Sequence, residues 1–333
     1  MISVWRSFLI ERAASWNLPQ DGHWRFLFHN NYHPHVSYIH LLWFHGNETE
    51  PRVVAKICRE PRVLAREFEN MQQVYPEIPS LMPQPLHFGK QADFWVLWME
   101  GVRGSRLSLD TVYSPSVLRS VVQMVLKFHV GVRRPTSKYG ADRHRRLVEE
   151  PLEALSGFGS APAVIGGCKD IAREASPSWV GTLPAIPQHG DFCLGNLVSD
   201  SRGTRILDWE VFGLIDLPCF DLFTFLLSPL LTSGPVADLW PDKVKAQIPQ
   251  IIDSYAGSVV LSATDLRLLF PLALANWLHV QLLNDGNRGF AEKLYRIINL
   301  CFENRGLWEY AIPPGNRTIH GVDLNSGIAS RLR

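Results

Sequence analysis

The chain has 333 residues, of which 46% are hydrophobic and 20% are charged, so it can bury a large core without a disulfide or a metal. The formal net charge is only +1, which argues against a nucleic-acid-binding protein. Five cysteines without a Cys-x-x-Cys pair argue against a disulfide framework and a zinc site, and indicate a reducing compartment. The short basic cluster 143–146 is expected to be a solvated helix face, with contact to an anion as the alternative.

The sequence predicts a cytoplasmic protein. Glu11 and Arg12 come too early to leave room for the apolar region of a signal peptide. The most apolar stretch, 268–283, is interrupted by Asn276 and His279 and is shorter than the roughly 20 residues of a membrane-spanning helix. We therefore expect a buried helix there and no membrane partner. The sequence indicates no obligatory protein partner.

The predicted elements of the first hundred residues form a small α+β unit. Segments 36–44 (VSYIHLLWF) and 52–58 (RVVAKIC) are rich in β-branched and aromatic residues, and the turn at 45–48 predicts that they pair as an antiparallel hairpin. Segment 61–74 carries apolar residues at helical spacing. Segment 94–99 (FWVLWM) is predicted to be a further buried strand.

Helical patterns dominate the rest of the chain. Two glycines make 100–104 a predicted hinge, and a helix is predicted over 115–129. A short β-like island spans 188–211, and helices resume at Asp221. The sequence therefore predicts an α+β, two-lobed architecture: an N-terminal lobe (1–100) with a small antiparallel sheet and one helix, a larger and mainly helical C-terminal lobe (101–311), and a loose tail (312–333).

The β-like island carries the residues with chemical potential. Asp191 lies on a loop, Asn196 follows five positions later, and Asp208 and Glu210 come at the end of the next strand. A hairpin around the turn 199–203 would bring Asn196 and Asp208 together. Phosphoryl transfer needs positioning, a metal and a carboxylate that accepts a proton, and Mg²⁺ prefers oxygen ligands of this kind. The spacing His-x-Asp-x₄-Asn followed by Asp matches the kinase catalytic loop.

These residues resemble the signature of the aminoglycoside phosphotransferase and choline kinase family, His-Gly-Asp-x₄-Asn followed by Asp-aromatic-Glu. The resemblance implies a protein-kinase-like fold in which Asp191 is the catalytic base and Asn196 and Asp208 are metal ligands. Glu210 would be an auxiliary acid near the metal. Asp221 matches a family acid that braces the catalytic loop. Capping of the helix 222–227 is the equally weighted alternative, and the two roles are compatible.

The N-terminal unit contains the other residues that a kinase needs. Lys56 lies mid-strand between Ala55 and Ile57, and its flanks resemble the strand lysine that contacts the α- and β-phosphates. A glutamate on the next helix should hold this lysine. Glu67 fits the family pattern best, with Glu69 on another helix face as the alternative. At the hinge, Glu100 and Val102 are predicted nucleotide contacts.

One segment departs from the kinase pattern. Where a glycine-rich loop would cover the phosphates, the chain has 29–37 (HNNYHPHVS), without a glycine, ahead of the first predicted strand. Asn and Ser side chains would have to replace backbone contacts there, or the loop does not clamp ATP. His33 and His35 could bind a metal, but a structural or surface role is favoured.

The expected acceptor is a small molecule such as a sugar or an amino alcohol. Gly190 stands where protein kinases have an arginine that pairs with a phosphorylated loop, and only a short loop follows Glu210, which leaves no room for a peptide platform. Asp285 could meet a cationic acceptor, although solvation is the default. Four aromatic residues could stack on an acceptor, although most are expected in the core: Trp240, Tyr255, Trp277 and Tyr295.

The sequence thus predicts a small-molecule kinase that uses ATP and Mg²⁺. Two alternatives stay open. The glycine-free loop favours a non-catalytic, nucleotide-binding pseudokinase that acts as a scaffold or regulator. A hydrolase could use the same acids with water as the acceptor.

Overall fold

The computed structural model describes residues 2–32, 37–112, 114–201, 203–233, 246–283 and 288–303. Four residues singled out from the sequence, and the predicted tail, lie outside the described residues: His33, His35, Trp240, Asp285 and 312–333. Within the described residues, a five-stranded antiparallel sheet with two helices lies in the N-terminal part, and helices dominate afterwards. The predicted α+β architecture is confirmed.

The N-terminal sheet has the strand order β1-β2-β3-β5-β4, and all its neighbours are antiparallel. The predicted hairpin is present as β2 and β3, and the predicted buried strand as β5. β-branched and aromatic residues form these strands because they pack well on a pleated surface. The strands are β1 (Trp24–Tyr32), β2 (Ser37–His45), β3 (Val53–Cys58), β4 (Pro85–Gln91) and β5 (Phe94–Glu100).

The two faces of this sheet pack against different partners. The outer face carries Leu41, Ala55 and Trp98 and is covered by helix α1 (Ile2–Ala13). The inner face carries Lys56, because side chains alternate along a strand. Helix α2 (Pro61–Val74) has the predicted bounds, packs on β4 and β5, and begins with a proline, which the first turn of a helix accepts.

Three N-terminal elements were missed from the sequence. The described part of residues 1–100 contains a second helix besides α2. This helix, α1, buries Trp5, Leu9 and Ala13 at intervals of four residues, but exposed Val4 and Ile10 obscure that period. Segment 29–37 was predicted to precede the first strand, but its residues 29–32 belong to strand β1, which was not predicted. The proline-rich connection contains β4, whose initial proline is tolerated because this strand lies at the sheet edge.

The helices of the C-terminal part surround one large core. The helix predicted over 115–129 is present and runs to residue 132. The helices are α3 (Leu109–Val112), α4 (Pro115–Val132), α5 (Glu150–Phe158), α6 (Pro162–Glu174), α7 (Pro177–Thr182), α8 (Phe220–Ser233), α9 (Ile248–Val259), α10 (Ala263–Leu283) and α11 (Arg288–Glu303).

Helix α10 contains the most apolar stretch of the sequence. It has 21 residues, and an 18-residue stretch within it has a mean hydropathy of 1.3, so among the described helices it alone is long and apolar enough to cross a membrane. However, 72% of its apolar window is buried inside the protein, as in a core helix. Asn276, which interrupts the stretch, is buried and donates hydrogen bonds to the carbonyl oxygens of Leu147 and Leu272.

A small three-stranded sheet positions the signature motif. Its strands are β6 (Ser105–Arg106), β7 (Leu197–Asp200) and β8 (Gly203–Ile206). The predicted hairpin is β7–β8. The sequence predicted its strands at 196–198 and 205–207, but Asn196 belongs to a 3-10 turn (Leu194–Asn196) and not to the strand. The Leu207 N–H still donates to the Asn196 carbonyl oxygen at 2.8 Å, which brings Asn196 next to the residue before Asp208.

The prediction that cluster 143–146 is a solvated helix face was wrong for Arg143. Its side chain is buried, and its guanidinium lies 3.2 Å from Asp216 Oδ1. It also donates to the carbonyl oxygens of Val180, Leu183 and Pro184. Arginine suits this position because its planar group can satisfy several acceptors at once.

Candidate active site

Lys56 is the centre of a buried ion cluster. Its Nζ lies 2.7 Å and 2.9 Å from the two carboxylate oxygens of Glu67, and 2.7 Å from Oδ1 of Asp208. Glu67 lies on the buried face of α2, while Glu69, the alternative partner, is exposed on another face. The structure therefore joins β3, α2 and the end of the β7–β8 hairpin through one ammonium group.

Lys56, Glu67 and Asp208 shift one another's pKa values. Burial by itself would lower the pKa of Lys56, but Asp208 and Glu67 outweigh it and hold the pKa above its ordinary value. Burial would raise the pKa of Asp208, and Lys56 more than reverses this, so that pKa is lowered. Lys56 and Asp208 are therefore both charged at neutral pH.

We expect Lys56→Met to lower the free energy of unfolding by about 3 kcal/mol, because it leaves the buried Glu67 and the partly buried Asp208 without a cation. The double variant Lys56→Met/Glu67→Gln should regain part of this loss, since one of the two carboxylates is then neutral. Urea unfolding followed by circular dichroism measures both variants. A double variant less stable than the single variant would contradict this electrostatic account.

Asp191 and Asn196 contact each other directly. Asn196 Nδ2 donates to Asp191 Oδ2 at 2.8 Å and to the Asp191 carbonyl oxygen at 3.0 Å. Burial raises the pKa of Asp191, and the charge of Asp208 raises it further. A carboxylate with a raised pKa is a stronger base, which suits a group that accepts a proton.

Asp221 holds the loop that carries Asp191. Its carboxyl oxygens accept hydrogen bonds from the N–H groups of His189 (2.6 Å) and Gly190 (3.0 Å), and from His129 Nε2 (3.0 Å). Asp221 lies in the first turn of α8, but its carboxyl group bonds to the catalytic loop and to α4. The structure thus favours the bracing role over capping. The role of His129 on α4 was missed; its position on the apolar face of this helix was the available signal.

Gly190 is required by the geometry of this loop. Its φ is +89°, a conformation that side chains other than glycine rarely adopt. A Cβ at this position would lie 3.0 Å from Val211, closer than an ordinary contact. The arginine of protein kinases at the corresponding place would therefore not fit this backbone.

The Asp208-Trp209-Glu210 segment is anchored on both sides. Asp208 has a φ of +68°, which is uncommon for a residue other than glycine and is a frequent feature of functional sites. Trp209 is fully buried, and its indole N–H donates to the Ile206 carbonyl oxygen at 3.0 Å. Asn70 Nδ2 donates to the Trp209 carbonyl oxygen at 2.8 Å. Asn70 was missed, although it lies three residues after Glu67 on the same face of α2.

Glu210 lies beside the ion cluster and next to Tyr38 of β2. The Tyr38 hydroxyl lies 3.5 Å from Glu210 Oε2. Burial, followed by the negative charge of Asp208, raises the pKa of Glu210 to about 8. Tyr38 was not singled out from the sequence, because its role depends on a residue 172 positions away.

We expect Glu210 to make the metal-free protein less stable as pH rises from about 5 to 9. Its pKa is higher in the folded protein than in the unfolded chain, so the folded state binds more protons and its stabilisation is lost as pH passes through 8. Glu210→Gln should flatten this part of the profile, and Glu69→Gln, an exposed control, should not. Urea unfolding in the presence of EDTA measures the effect. Parallel profiles for Glu210→Gln and the wild type would contradict it.

The predicted hinge contacts lie at the end of β5. The side chain of Glu100 bonds elsewhere: Oε1 lies 3.0 Å from Nη1 of Arg205, and Oε2 accepts from the Gln84 N–H at 3.2 Å. The carboxyl group of Glu100 is therefore engaged by other groups of the protein. The backbone N–H of Val102 has no hydrogen-bond partner among the residues that the structure describes.

The aromatic residues proposed to stack on an acceptor are mainly structural. Tyr255 is fully buried and its hydroxyl lies 2.5 Å from His129 Nδ1, and Trp277 is buried in α10. Tyr295 packs on Phe158, and its hydroxyl accepts a hydrogen bond from the Ala161 N–H at 3.3 Å. The core interpretation, which the sequence favoured, therefore holds for the described members of this group.

Comparisons with known proteins concern the family and the fold of the chain. The model of a family described as the phosphotransferase enzyme family (APH) matches residues 37–255. Similar solved structures include a Plasmodium vivax ethanolamine kinase (TM-score 0.58, 11% identity, 90% of this chain and 88% of that chain). The GDP complex of wild-type aminoglycoside 2'-phosphotransferase-IIIa has a TM-score of 0.58 and 12% identity, over 84% of this chain and 93% of that chain.

A third similar structure is a choline/ethanolamine kinase family protein from Mesorhizobium loti, with a TM-score of 0.54 and 17% identity over 92% of this chain and 97% of that chain. At these identities the likeness shows the fold alone, and it confirms the predicted kinase-like architecture. A comparison with curated protein sequences found no match. Because the family model spans most of the chain and includes the whole signature segment, this protein belongs to the phosphotransferase enzyme family.

Proposed function

We propose that the protein transfers the γ-phosphoryl group of ATP to a hydroxyl group of a small molecule. The observation that carries this proposal is the connected cluster of Lys56, Glu67, Asp208, Asp191 and Asn196. Phosphoryl transfer needs a cation against the phosphates, oxygen ligands for a metal and a carboxylate near the acceptor. In this role Lys56 neutralises the α- and β-phosphates, and Asp191 accepts the proton of the hydroxyl group.

The donor set suits Mg²⁺. Carboxylate oxygens of Glu67, Asp208 and Glu210 lie within 4.8 Å of one another, and hard oxygen ligands are those that Mg²⁺ prefers. Because Lys56 holds both carboxylate oxygens of Glu67 but only Oδ1 of Asp208, we assign the ion to Asp208, Glu210 and Asn196. The amide oxygen of Asn196 is not the atom that bonds to Asp191. A bound ion would offset the negative charge of the phosphates.

The hinge supports binding of the nucleobase. The Glu100 carbonyl oxygen and the Val102 N–H supply an acceptor and a donor on neighbouring parts of the backbone, and adenine presents a complementary donor and acceptor. One solved structure of similar fold is a thermostable mutant of the aminoglycoside phosphotransferase APH(4)-Ia in a ternary complex with AMP-PNP and hygromycin B. These observations support ATP as the phosphoryl donor and a small acceptor.

The short connection after Glu210 supports the small acceptor. Only residues 211–219 separate Glu210 from helix α8. This segment folds back onto the catalytic loop, because the Gly213 N–H donates to the Gln188 carbonyl oxygen and the Gln188 N–H donates to the Ile215 carbonyl oxygen. Such a closed connection leaves no extended platform for a peptide.

Two measurements test the proposal. Thermal unfolding with ATP or GTP, each with and without Mg²⁺, should show stabilisation that depends on Mg²⁺. ATP consumption with a panel of sugars, aminoglycosides and amino alcohols should then rise with one acceptor class. Binding without any turnover across the panel would favour the pseudokinase alternative, and phosphate release without an acceptor would favour the hydrolase. No nucleotide binding at all would overturn the proposal.

A further inference from the structure

Strand β2 presents a row of side chains to the inner face of the N-terminal sheet. His40 pairs with Lys56 across the two strands and Leu42 pairs with Val54, and directly paired residues point to the same face. The intervening residue Leu41 belongs to the outer-face cluster under α1. Tyr38, two residues before His40, therefore shares the inner face, and its contact with Glu210 agrees with this.

These side chains lie in a row that runs from the hinge towards Glu210, which is the direction in which a bound nucleotide would lie. The pair Leu42–Val54 is next to the hinge, since Val53 pairs with Glu100 at the end of β5. His40 lies one step of about 7 Å further along the strand, at the level of Lys56. Tyr38 lies beyond it, beside Glu210. His40 is thus level with the phosphates that Lys56 would neutralise, and not with the base.

The imidazole of His40 has unused hydrogen-bonding capacity. Its Nδ1 is buried and has no partner in the part of the chain that the structure describes, an arrangement that costs free energy. Burial, followed by the positive charge of Lys56, lowers the pKa of His40 to about 4. The ring is therefore neutral at pH 7 and carries one N–H donor and one acceptor nitrogen.

We propose that His40 contacts the nucleotide directly by donating a hydrogen bond from its neutral imidazole to the phosphate group that Lys56 neutralises. The contact rests on the proposed function, because it requires nucleotide phosphates on this face of the sheet. A neutral donor suits the position, since a second cation would be repelled by Lys56 and a carboxylate would repel the phosphate. In kinases a glycine-rich loop donates backbone hydrogen bonds to the phosphates, and segment 29–37 contains no glycine. The side chain of His40 would donate such a hydrogen bond instead.

The test compares the binding of Mg·AMP-PNP and of adenosine by isothermal titration calorimetry. His40→Phe keeps a ring but removes both nitrogens, and should weaken Mg·AMP-PNP binding about tenfold while changing adenosine binding less than twofold. His40→Gln, whose amide can donate, should recover most of the affinity. His87→Phe is the matched control: His87 lies on the same sheet, its ring contacts Phe8 of α1 on the outer face, and its substitution should leave both affinities unchanged.

The outcomes separate this contact from the proposed function. Wild-type affinity of His40→Phe for Mg·AMP-PNP overturns the contact alone. An equal loss for adenosine also overturns it, because His40 would then contact the nucleoside. Failure of the wild-type protein to bind Mg·AMP-PNP overturns the proposed function and the contact with it. If His40→Phe does not fold, as judged by its thermal unfolding without nucleotide, His40→Ala is measured in its place against the same criteria.

Discussion

Asp191→Asn should lower the rate of phosphoryl transfer by about a thousandfold while leaving nucleotide affinity within about twofold of the wild type. An amide cannot accept the proton of the acceptor hydroxyl, and general-base groups of this kind contribute roughly 10²–10⁴ in rate. The fold should survive, because the asparagine oxygen can still accept the hydrogen bond that Asn196 Nδ2 donates. Turnover is measured with the acceptor found in the panel, and affinity with Mg·AMP-PNP.

The matched control for this variant is Asp93→Asn, the same chemical change at an exposed position in the β4–β5 turn. It should keep wild-type turnover. If Asp191→Asn consumes ATP at the wild-type rate, Asp191 is not the base. A loss of nucleotide binding as large as the loss of turnover would place Asp191 in ligand binding instead.

Asp221→Ala should lower the free energy of unfolding by about 4 kcal/mol. Asp221 is fully buried and accepts three hydrogen bonds, so its removal leaves the N–H groups of His189 and Gly190 and one nitrogen of His129 without a partner. Each unpaired buried donor costs about 1–3 kcal/mol. Asp221→Asn keeps one acceptor oxygen and should lose about half as much. Urea unfolding measures both variants.

The same substitution should also reduce turnover, because the loop that carries Asp191 loses its support. Addition of nucleotide cannot restore the missing acceptor, so the loss of turnover should persist at saturating ATP. Asp93→Ala serves as the exposed control and should change neither quantity. An Asp221→Ala protein as stable as the wild type would show that the loop is held by other contacts, such as the bond between His189 Nε2 and the Leu207 carbonyl oxygen at 2.9 Å.

Elements with a strong local signal were predictable. Helix α2 has a proline at its start and apolar residues at helical spacing, and the structure has the predicted bounds. Strands β2, β3 and β5 are rich in β-branched and aromatic residues, which few other conformations accommodate. Strand β1 has a weaker signal: it contains aromatic residues, but Phe26, Leu27 and Phe28 form one apolar run without alternation, and all three are exposed. Its pairing with β2 decides its conformation.

Most residues of the candidate site can be found from local patterns, because Asp191, Asn196, Asp208 and Glu210 lie within twenty positions and the flanks of Lys56 are local as well. Which groups contact one another depends on the tertiary fold. Tyr38 contacts Glu210 across 172 positions, Asn70 holds the Trp209 carbonyl across 139, and Asp221 reaches His129 across 92. Such partners follow from the packing of the whole chain, and local spacing carries no information about them.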